Sequence, residues 1–168
     1  YKRQDSVSNL DLPVIISSGL ANWNELSNIS SKFNKHKKKE LFSILHCTTQ
    51  YPTDPKEIGY NNVKQIEEKL NVLSGLSDHS GNYLTAFYAL ARGCPILEVH
   101  VNFDRKMFGP DSTSSLSIKE IGEVIRAKNY FKKLNMKTDK NIMGESLSST
   151  KTKFARSIGI RKNIKNIR

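Results

Sequence analysis

Short apolar runs alternate with segments of helical spacing along most of this chain. Four of the runs have the length and composition of strands, and these are VIISSG (14–19), FSILHCT (42–48), SGLSDHS (74–80) and ILEVHV (96–101). Successive runs are separated by enough residues for one helix and its loops. The alternation predicts an α/β fold with a parallel sheet.

Helical patterns fill the intervals between the runs. Apolar residues recur every three or four positions behind a capping residue or a capping box. These groups are Trp23, Leu26, Ile29 and Phe33 after Asn22; Val63, Ile66 and Leu70 after Asn61 and Asn62; and Ile118, Ile121, Val124, Ile125 and Leu134 after the capping box SIKE (117–120). A fourth segment, NYLTAFYALARG (82–93), is apolar on most sides, and Gly93 is a suitable C-terminal cap.

The length limits the architectures that these elements can form. The 168 residues suffice for one domain with its own core. A closed barrel of eight strand–helix units needs about 250 residues. The four predicted units therefore form a small open sheet or part of a barrel, and the polar segment before Val14 shows no strand pattern that would supply more.

Composition describes a polar but globular protein, with 37% hydrophobic and 26% charged residues. No apolar run approaches the roughly 18 residues of a membrane span, and the N-terminus shows no signal-peptide pattern. We therefore expect a cytoplasmic protein without a membrane partner. Cys47 and Cys94 both lie in apolar stretches, which predicts buried free thiols rather than a disulfide framework.

The formal net charge of +11 at pH 7 favours phosphate-bearing partners in general. Basic residues cluster in KHKKKE (35–40), predicted to be a solvated loop, and in the stretch after Glu145, which contains no acidic residue. Neither cluster has interleaved aromatic residues or a known binding motif. Nucleic-acid binding is therefore not favoured, although a basic module that binds nucleic acid or another anionic surface stays an alternative.

Two histidines, His79 and His100, lie at or near the ends of predicted strands. Side chains alternate along a strand, so Glu98 shares a face with His100, and Ser77 shares a face with His79. The opposite face of the last predicted strand is apolar and consists of Leu97, Val99 and Val101. The polar face is therefore expected to lie away from the helices.

Parallel α/β barrels keep their active sites at the carboxyl ends of the strands. Imidazoles from two adjacent strand ends can reach one metal ion, with water and substrate oxygens as the remaining ligands. The alternative is that each histidine is a hydrogen-bonded residue of the core or rim. We interpret His46, inside an apolar run, and His36, in the lysine-rich segment, in that second way.

Four motifs together resemble the sialic acid synthase family, which includes N-acetylneuraminate, legionaminate and pseudaminate synthases. The motifs are HCTTQYPT (46–53), GLSDHSG (75–81), LEVHVNFDR (97–105) and GPDSTSSL (109–116), within a match from about Val14 to Leu134. Family members fold as a (β/α)8 TIM barrel followed by an antifreeze-like domain. The resemblance implies that residues 1–136 are the C-terminal half of the barrel, with strands five to eight, and that residues 137–168 are a basic linker and the start of a truncated antifreeze-like domain.

The family condenses phosphoenolpyruvate with an N-acylated amino sugar, such as N-acetylmannosamine, to a nine-carbon 2-keto sugar acid and releases phosphate. A divalent metal, Mn²⁺ or Mg²⁺, holds the open-chain aldehyde of the sugar, and the full-length proteins form homodimers. The resemblance implies that His79 and His100 are the metal ligands. It also implies substrate contacts at Ser17, Thr49 and Ser77 for phosphoenolpyruvate, at Tyr51 and Asp111 for the amino sugar, and at Glu98 on the sugar or metal side.

This sequence departs from the family pattern at two positions. Thr49 stands where members usually have Asn, and Ser112 stands where the motif is usually GPDH. A threonine hydroxyl donates one hydrogen bond but cannot replace an amide. Because the general base is expected in the first half of the barrel, residues 1–168 alone are predicted to be inactive. A degenerate or split fragment is a further alternative, in which a partner half-barrel covers open sheet edges at 14–19 and 96–101.

Overall fold

The structure, a computed structural model, describes residues 12–36 and 41–156, together with Val7 and Gly159; for residues 35 and 36 it describes the backbone only. The chain divides into two compact units, Tyr1–Lys133 and Leu134–Arg168, which are described separately. Most of the predicted basic loop at 35–40, the side chain of His36 and the basic residues from 161 onwards lie outside the described residues.

Strands and helices alternate through the first unit. In chain order they are β1 (Val14–Ser17), α1 (Trp23–His36), β2 (Phe42–Cys47), α2 (Asn61–Leu70), β3 (Leu73–Asp78), α3 (Tyr83–Ala91), β4 (Leu97–Asn102), β5 (Ser115–Ser117) and α4 (Ile118–Leu134). Short 3₁₀ helices occupy Pro55–Glu57 and Ser112–Ser114 in the loops after β2 and β4. The four predicted strands and four predicted helices are all present.

The sheet has the order β1-β2-β3-β4-β5, and every neighbouring pair is parallel. This confirms the predicted α/β fold with a parallel sheet. The strand β5 was not predicted, because three residues are too few to show alternation. The predicted open edge at 96–101 is therefore wrong in part, since β5 pairs with the end of β4 from His100 to Asn102.

The core lies between the helices and one face of the sheet. On β2, Phe42 and Ile44 belong to the core beneath α1 and α2, and Phe42 stacks on Phe33 with ring centroids 4.5 Å apart. Smaller groups of buried residues continue along the sheet toward α3 and α4; their members are Val63, Leu76 and Ala89, then Ala86, Leu116 and Val124. The opposite face of the central strands is buried as well, for example at Leu45 and Ser77.

Helix ends follow the sequence signals in three places. The Asn22 side chain accepts from the Glu25 amide at 3.0 Å, and the Glu25 carboxylate accepts from the Asn22 amide at 2.8 Å. The predicted capping box at the start of α4 is confirmed, because the Glu120 carboxylate accepts from the Ser117 amide at 2.8 Å. Gly93 follows α3 with φ of 77°, a left-handed conformation that glycine adopts without strain.

Two details of the predicted helices are wrong. The predicted caps of α2 are not used, because the helix begins at Asn61 and its N-cap, Tyr60, makes no side-chain capping bond. The buried stripe of α4 is narrower than predicted. Val124 is buried, whereas three other residues of the predicted stripe are exposed. These are Ile118, Ile125 and Leu134. The helix contacts the core through one line of residues only.

Both cysteines are free thiols, as predicted, but the prediction that both are buried is wrong for Cys94. Cys47 is buried, and Cys94 is half-buried and donates from its Sγ to the carbonyl of Ile96 at 3.1 Å. Burial raises the pKa of the Cys94 thiol, and hydrogen bonds near it act in the opposite direction.

The second unit contains α5 (Lys140–Ser146) and α6 (Ser148–Phe154). Asp139 caps α5 by accepting from the Asn141 amide at 2.7 Å. The assignment of residues 137–168 to a linker and an antifreeze-like domain stays a prediction. Across the described ranges of the whole chain, each helix is too short or too polar to span a bilayer.

Candidate functional site

Two imidazole rings lie side by side where β3 and β4 end. His79 follows β3 and His100 belongs to β4, and their ring centroids are 5.0 Å apart with the planes at 73°. Tyr51, from the loop after β2, stacks on His79 at 4.3 Å and lies 5.9 Å from His100. A carboxylate oxygen of Asp111 is 3.7 Å from Nδ1 of His100. Four of the residues implied by the resemblance therefore form one cluster.

The position of the His79 ring is fixed by a contact with Thr48 and by hydrogen bonds of the residues next to it in the chain. It is buried, with 5% of its surface exposed, and its Nδ1 lies 3.1 Å from the carbonyl oxygen of Thr48. The backbone around it is fixed too, because the Asp78 carboxylate accepts from the amide and the hydroxyl of Ser80. Burial raises the pKa of Asp78, and those two hydrogen bonds act in the opposite direction.

The Thr48 contact determines which ring nitrogen of His79 carries the hydrogen. A carbonyl oxygen can only accept, and its 3.1 Å contact is shorter than the 3.9 Å contact of the Cys47 Sγ with the same nitrogen, so we assign Nδ1 as the donor and the lone pair of the neutral ring to Nε2. We expect long-range ¹H–¹⁵N NMR spectra, recorded at a pH where the His79 ring is neutral, to show its Nδ1–H tautomer. His46 is a matched control with the opposite expectation, because its Nε2 lies 2.8 Å from the carbonyl oxygen of Ile58. An Nε2–H tautomer at His79 would contradict the assignment.

The separation of the two ring centroids is compatible with adjacent positions on one metal ion. With metal–nitrogen bonds of about 2.1 Å and ring centroids ~1.1 Å further out, adjacent imidazoles have centroids roughly 4.6–5.3 Å apart. The observed separation of 5.0 Å lies in this range, and a backbone carbonyl at the other nitrogen is typical of ligating histidines. Among the described residues, no group of three or more His, Cys, Asp or Glu could hold an ion. In this part of the chain the two imidazoles are therefore candidate ligands only, and an ion bound there would need further ligands from water or substrate.

Ser77 and Glu98 form a second polar pair beside the histidines. The register pairs these residues across β3 and β4, and the Ser77 hydroxyl donates to the Glu98 carboxylate at 2.6 Å. Ser77 is buried, whereas Glu98 is exposed. The hydroxyl proton is therefore already engaged, and a bound anion would have to compete with Glu98 for it.

The remaining predicted contacts lie at the ends of the first two strands. Ser17 is the last residue of β1 and is exposed. Thr49 follows β2 and is also exposed, and its Oγ1 is 3.8 Å from the position that a Cβ on Gly19 would take. Both residues thus lie at the carboxyl edge of the sheet, on the β1 side of the Tyr51 and histidine cluster.

Two groups at this edge were not singled out in the sequence. Thr48 acts through its backbone carbonyl, which no pattern of side chains reveals. Arg105 lies inside the motif LEVHVNFDR, and its Nη2 donates to the carbonyl oxygen of Gly81 at 2.8 Å. The presence of Arg105 in a motif was the one available signal, but the motif does not say what the guanidinium contacts.

Comparisons with known proteins agree with the family resemblance. The NeuB family profile matches residues 4–140. The chain is 35% identical over 115 residues to a pseudaminic acid synthase of Campylobacter jejuni, covering 68% of this chain and 33% of that protein. It is 29% identical over 126 residues to an N-acetylneuraminate-9-phosphate synthase of Drosophila melanogaster, covering 74% of this chain and 34% of that protein.

Solved structures include a similar fold. An N-acetylneuraminic acid synthetase of Leptospira borgpetersenii, crystallised with citrate, superposes with a TM-score of 0.76 at 25% sequence identity. The superposition covers 93% of this chain and 55% of that one. The chain therefore spans about a third of the length of the curated relatives described above and about half of this solved structure.

Proposed function

Because the chain belongs to the NeuB family, we propose that it carries the metal-binding and sugar-binding part of a sialic-acid-type synthase site. The reaction would join phosphoenolpyruvate to an N-acylated amino sugar, giving a nine-carbon 2-keto sugar acid and phosphate. In this proposal the five parallel strands form part of a TIM barrel, one strand more than the four, five to eight, that the resemblance implied. The observation that supports it most directly is the 5.0 Å approach of His79 and His100, next to Tyr51 and Asp111.

His79 and His100 would hold a divalent ion, Mn²⁺ or Mg²⁺. When bound, the ion would act as a Lewis acid toward the aldehyde of the open-chain sugar. The chain contributes by fixing the two imidazoles, since Thr48 orients the His79 ring and Tyr51 packs against both rings. Because neutral imidazoles add no charge of their own, they leave the positive charge of the ion intact.

Tyr51 and Asp111 would orient the amino sugar. Both side chains are exposed beside the histidines, so a ligand can reach the Tyr51 hydroxyl and the Asp111 carboxylate from solvent. A carboxylate fixes sugar hydroxyls by accepting their hydrogen bonds, and this orientation lowers the entropic cost of reaching the reactive geometry. The part of the Tyr51 ring that packs against the histidines is shielded from water, and this partial burial raises the pKa of its phenol; nearby Cys47 and Asp111 raise it further, so the phenol keeps its proton for donation.

Ser77 would contact phosphoenolpyruvate, with Ser17 and Thr49 as further contacts at the same edge of the sheet. Hydroxyl groups suit anionic oxygens, because they donate hydrogen bonds and cost little to desolvate. Ser77 now donates to Glu98, which means that binding of the anion would release Glu98 toward the sugar or the ion. We place the reaction in the cytoplasm and in a homodimer, as for the full-length family.

Sugar binding at the two histidines can be measured without turnover. We expect bound Mn²⁺ to broaden the NMR lines of N-acetylmannosamine more strongly with the 168-residue chain than without it. Asp111→Asn is expected to remove most of the added broadening, because an amide presents one acceptor oxygen instead of two and carries no charge. Asp54→Asn is the matched control, an exposed aspartate that caps the 3₁₀ helix after β2. Equal broadening with and without the chain would contradict the proposal.

The 168 residues alone are expected to show no condensation. By the resemblance, the general base and several substrate contacts belong to a part of the family fold that these residues do not match. Phosphate release from phosphoenolpyruvate in the presence of N-acetylmannosamine and Mn²⁺ should stay at the rate of the His79→Ala variant. Turnover at an ordinary enzymatic rate of about 1–10³ s⁻¹ would contradict this expectation.

A further inference from the structure

Arg105 connects three segments at the carboxyl edge of the sheet. Its guanidinium lies in the loop after β4 and donates from Nη2 to the Gly81 carbonyl oxygen, in the loop after β3. The same guanidinium binds Glu120, in the first turn of α4, with contacts of 2.7 Å to Oε1 and 3.2 Å to Oε2. This two-point contact fixes the orientation of the guanidinium as well as its distance.

Glu120 is in turn anchored where β5 ends. Its Oε2 accepts from the amide and the hydroxyl of Ser117, at 2.8 and 2.7 Å. Burial alone would raise the pKa of Glu120, but the hydrogen bonds from Arg105 and Ser117 outweigh it and lower the pKa to about 2. The carboxylate is therefore charged at any ordinary pH, so its ion pair with Arg105 does not depend on pH in that range.

Gly81 also contacts the segment that leads into β5. It has φ of 63°, and a Cβ at this position would collide with the carbonyl oxygen of Thr113. Asp111 lies two residues before Thr113, and its own carbonyl accepts from the Ser115 hydroxyl at 2.7 Å. The loop that carries His79 and the loop that carries Asp111 are thus packed directly against each other.

We propose that Arg105 is a positioning residue for the His79 and Asp111 side of the site, through its contacts with the Gly81 carbonyl and Glu120. It touches neither imidazole in the interactions described above. It acts by holding the backbone two residues after His79 at a fixed distance from the start of α4, which fixes the spacing between the two histidines. This inference rests on the proposed function only in naming metal binding as the affected property.

The effect of the hydrogen bonds that Arg105 makes can be separated from the effect of its positive charge. Arg105→Met removes the guanidinium, and Arg105→Lys keeps a cation that can reach Gly81 or Glu120 but cannot hold both as the planar fork does. Arg126→Met is the matched control, since Arg126 forms an exposed ion pair with Glu123 on the same α4 helix. We expect Arg105→Met to weaken the binding of Mn²⁺ alone by about tenfold, the lower end of the loss for a direct hydrogen-bonding partner of a ligand, because Arg105 acts on the ligands only through the backbone. Arg105→Lys should recover part of that loss, and Arg126→Met should bind as the unmodified chain.

A second measurement does not depend on the metal. Nuclear Overhauser effects between the ring protons of His79 and His100 should be visible in the unmodified chain and in Arg126→Met. They should weaken or disappear in Arg105→Met. If Arg105→Met fails to fold, Glu120→Gln provides the same comparison, because it removes the charge that the Arg105 guanidinium binds.

The two measurements separate the two hypotheses. If the unmodified chain binds no Mn²⁺ while the ring contacts still depend on Arg105, then the proposed function fails and the positioning role stands. If Arg105→Met keeps both the Mn²⁺ affinity and the ring contacts of the unmodified chain, the positioning role is overturned. It is also overturned if Arg126→Met causes an equal loss, because the effect would then be a general one of lost surface charge.

Discussion

Replacing His79 or His100 by alanine is expected to lower the affinity of the chain for Mn²⁺ by on the order of 100-fold or more. Loss of an outer-shell partner already costs up to about 100-fold, so removal of a direct ligand should cost at least that much. His79 and His100 are the two imidazoles that approach each other at this site, and the described part of the chain holds no group of three or more candidate ligands. Each single change should therefore leave one protein ligand, and calorimetric titration with Mn²⁺ would measure the loss.

The control for this experiment is another histidine of the same sheet. His46 belongs to β2, and its Nε2 is occupied by the carbonyl of Ile58. Burial lowers the pKa of His46, which favours the neutral form of its ring. His46→Gln keeps a donor for that carbonyl and should leave the Mn²⁺ affinity unchanged. If both His79→Ala and His100→Ala also left the affinity unchanged, the metal site would not be where we place it.

Gly81→Ala is expected to lower the free energy of unfolding by about 3 kcal/mol. A left-handed conformation costs a residue with a Cβ about 1–2 kcal/mol, and forcing a methyl group into a filled space costs about 1–3 kcal/mol. Both penalties apply here, because Gly81 has φ of 63° and its missing Cβ would meet the Thr113 carbonyl oxygen. That oxygen belongs to the backbone and cannot rotate away as a side chain would. Urea denaturation followed by circular dichroism would give the free energy.

Gly122→Ala provides the matched comparison. Gly122 lies within α4, and a Cβ at this position would meet nothing within 4 Å. Alanine is favoured over glycine in a helix by about 1 kcal/mol, so this variant should be more stable than the unmodified chain. Opposite signs for the two glycine substitutions are the expected pattern. A stability of Gly81→Ala equal to that of the unmodified chain would show that the two loops are not packed as described.

Much of the fold was predictable because its signals are local. The apolar runs at β1 to β4 and the periodicity of α1 to α4 lie within single segments, and short-range sterics and amphipathic burial are sufficient to produce them. The caps at Asn22 and Gly93 are local for the same reason. Errors arose where the sequence was ambiguous over a few residues. The three residues of β5 show no period, and Asn61 begins α2 instead of capping it.

The site was predictable in its members but not in its contacts. Strand alternation together with the order of the strands predicted that His79 and His100 would lie at one edge of the sheet, and the resemblance supplied Tyr51 and Asp111. The partners of these residues depend on loops that meet only after folding. Gly81 and Arg105 are 24 residues apart in the chain, and Thr48 and His79 are 31 apart.

The sequence by itself therefore determined the strand–helix order, the family and the candidate side chains, because each of these depends on short segments or motifs. The tertiary structure alone decided that the Thr48 carbonyl orients the His79 ring and that Ser77 donates to Glu98. It also decided that Arg105 joins the loops after β3 and β4 to α4. Hydrogen bonds of this kind depend on distances set by the packing of the sheet, and no local pattern encodes those distances.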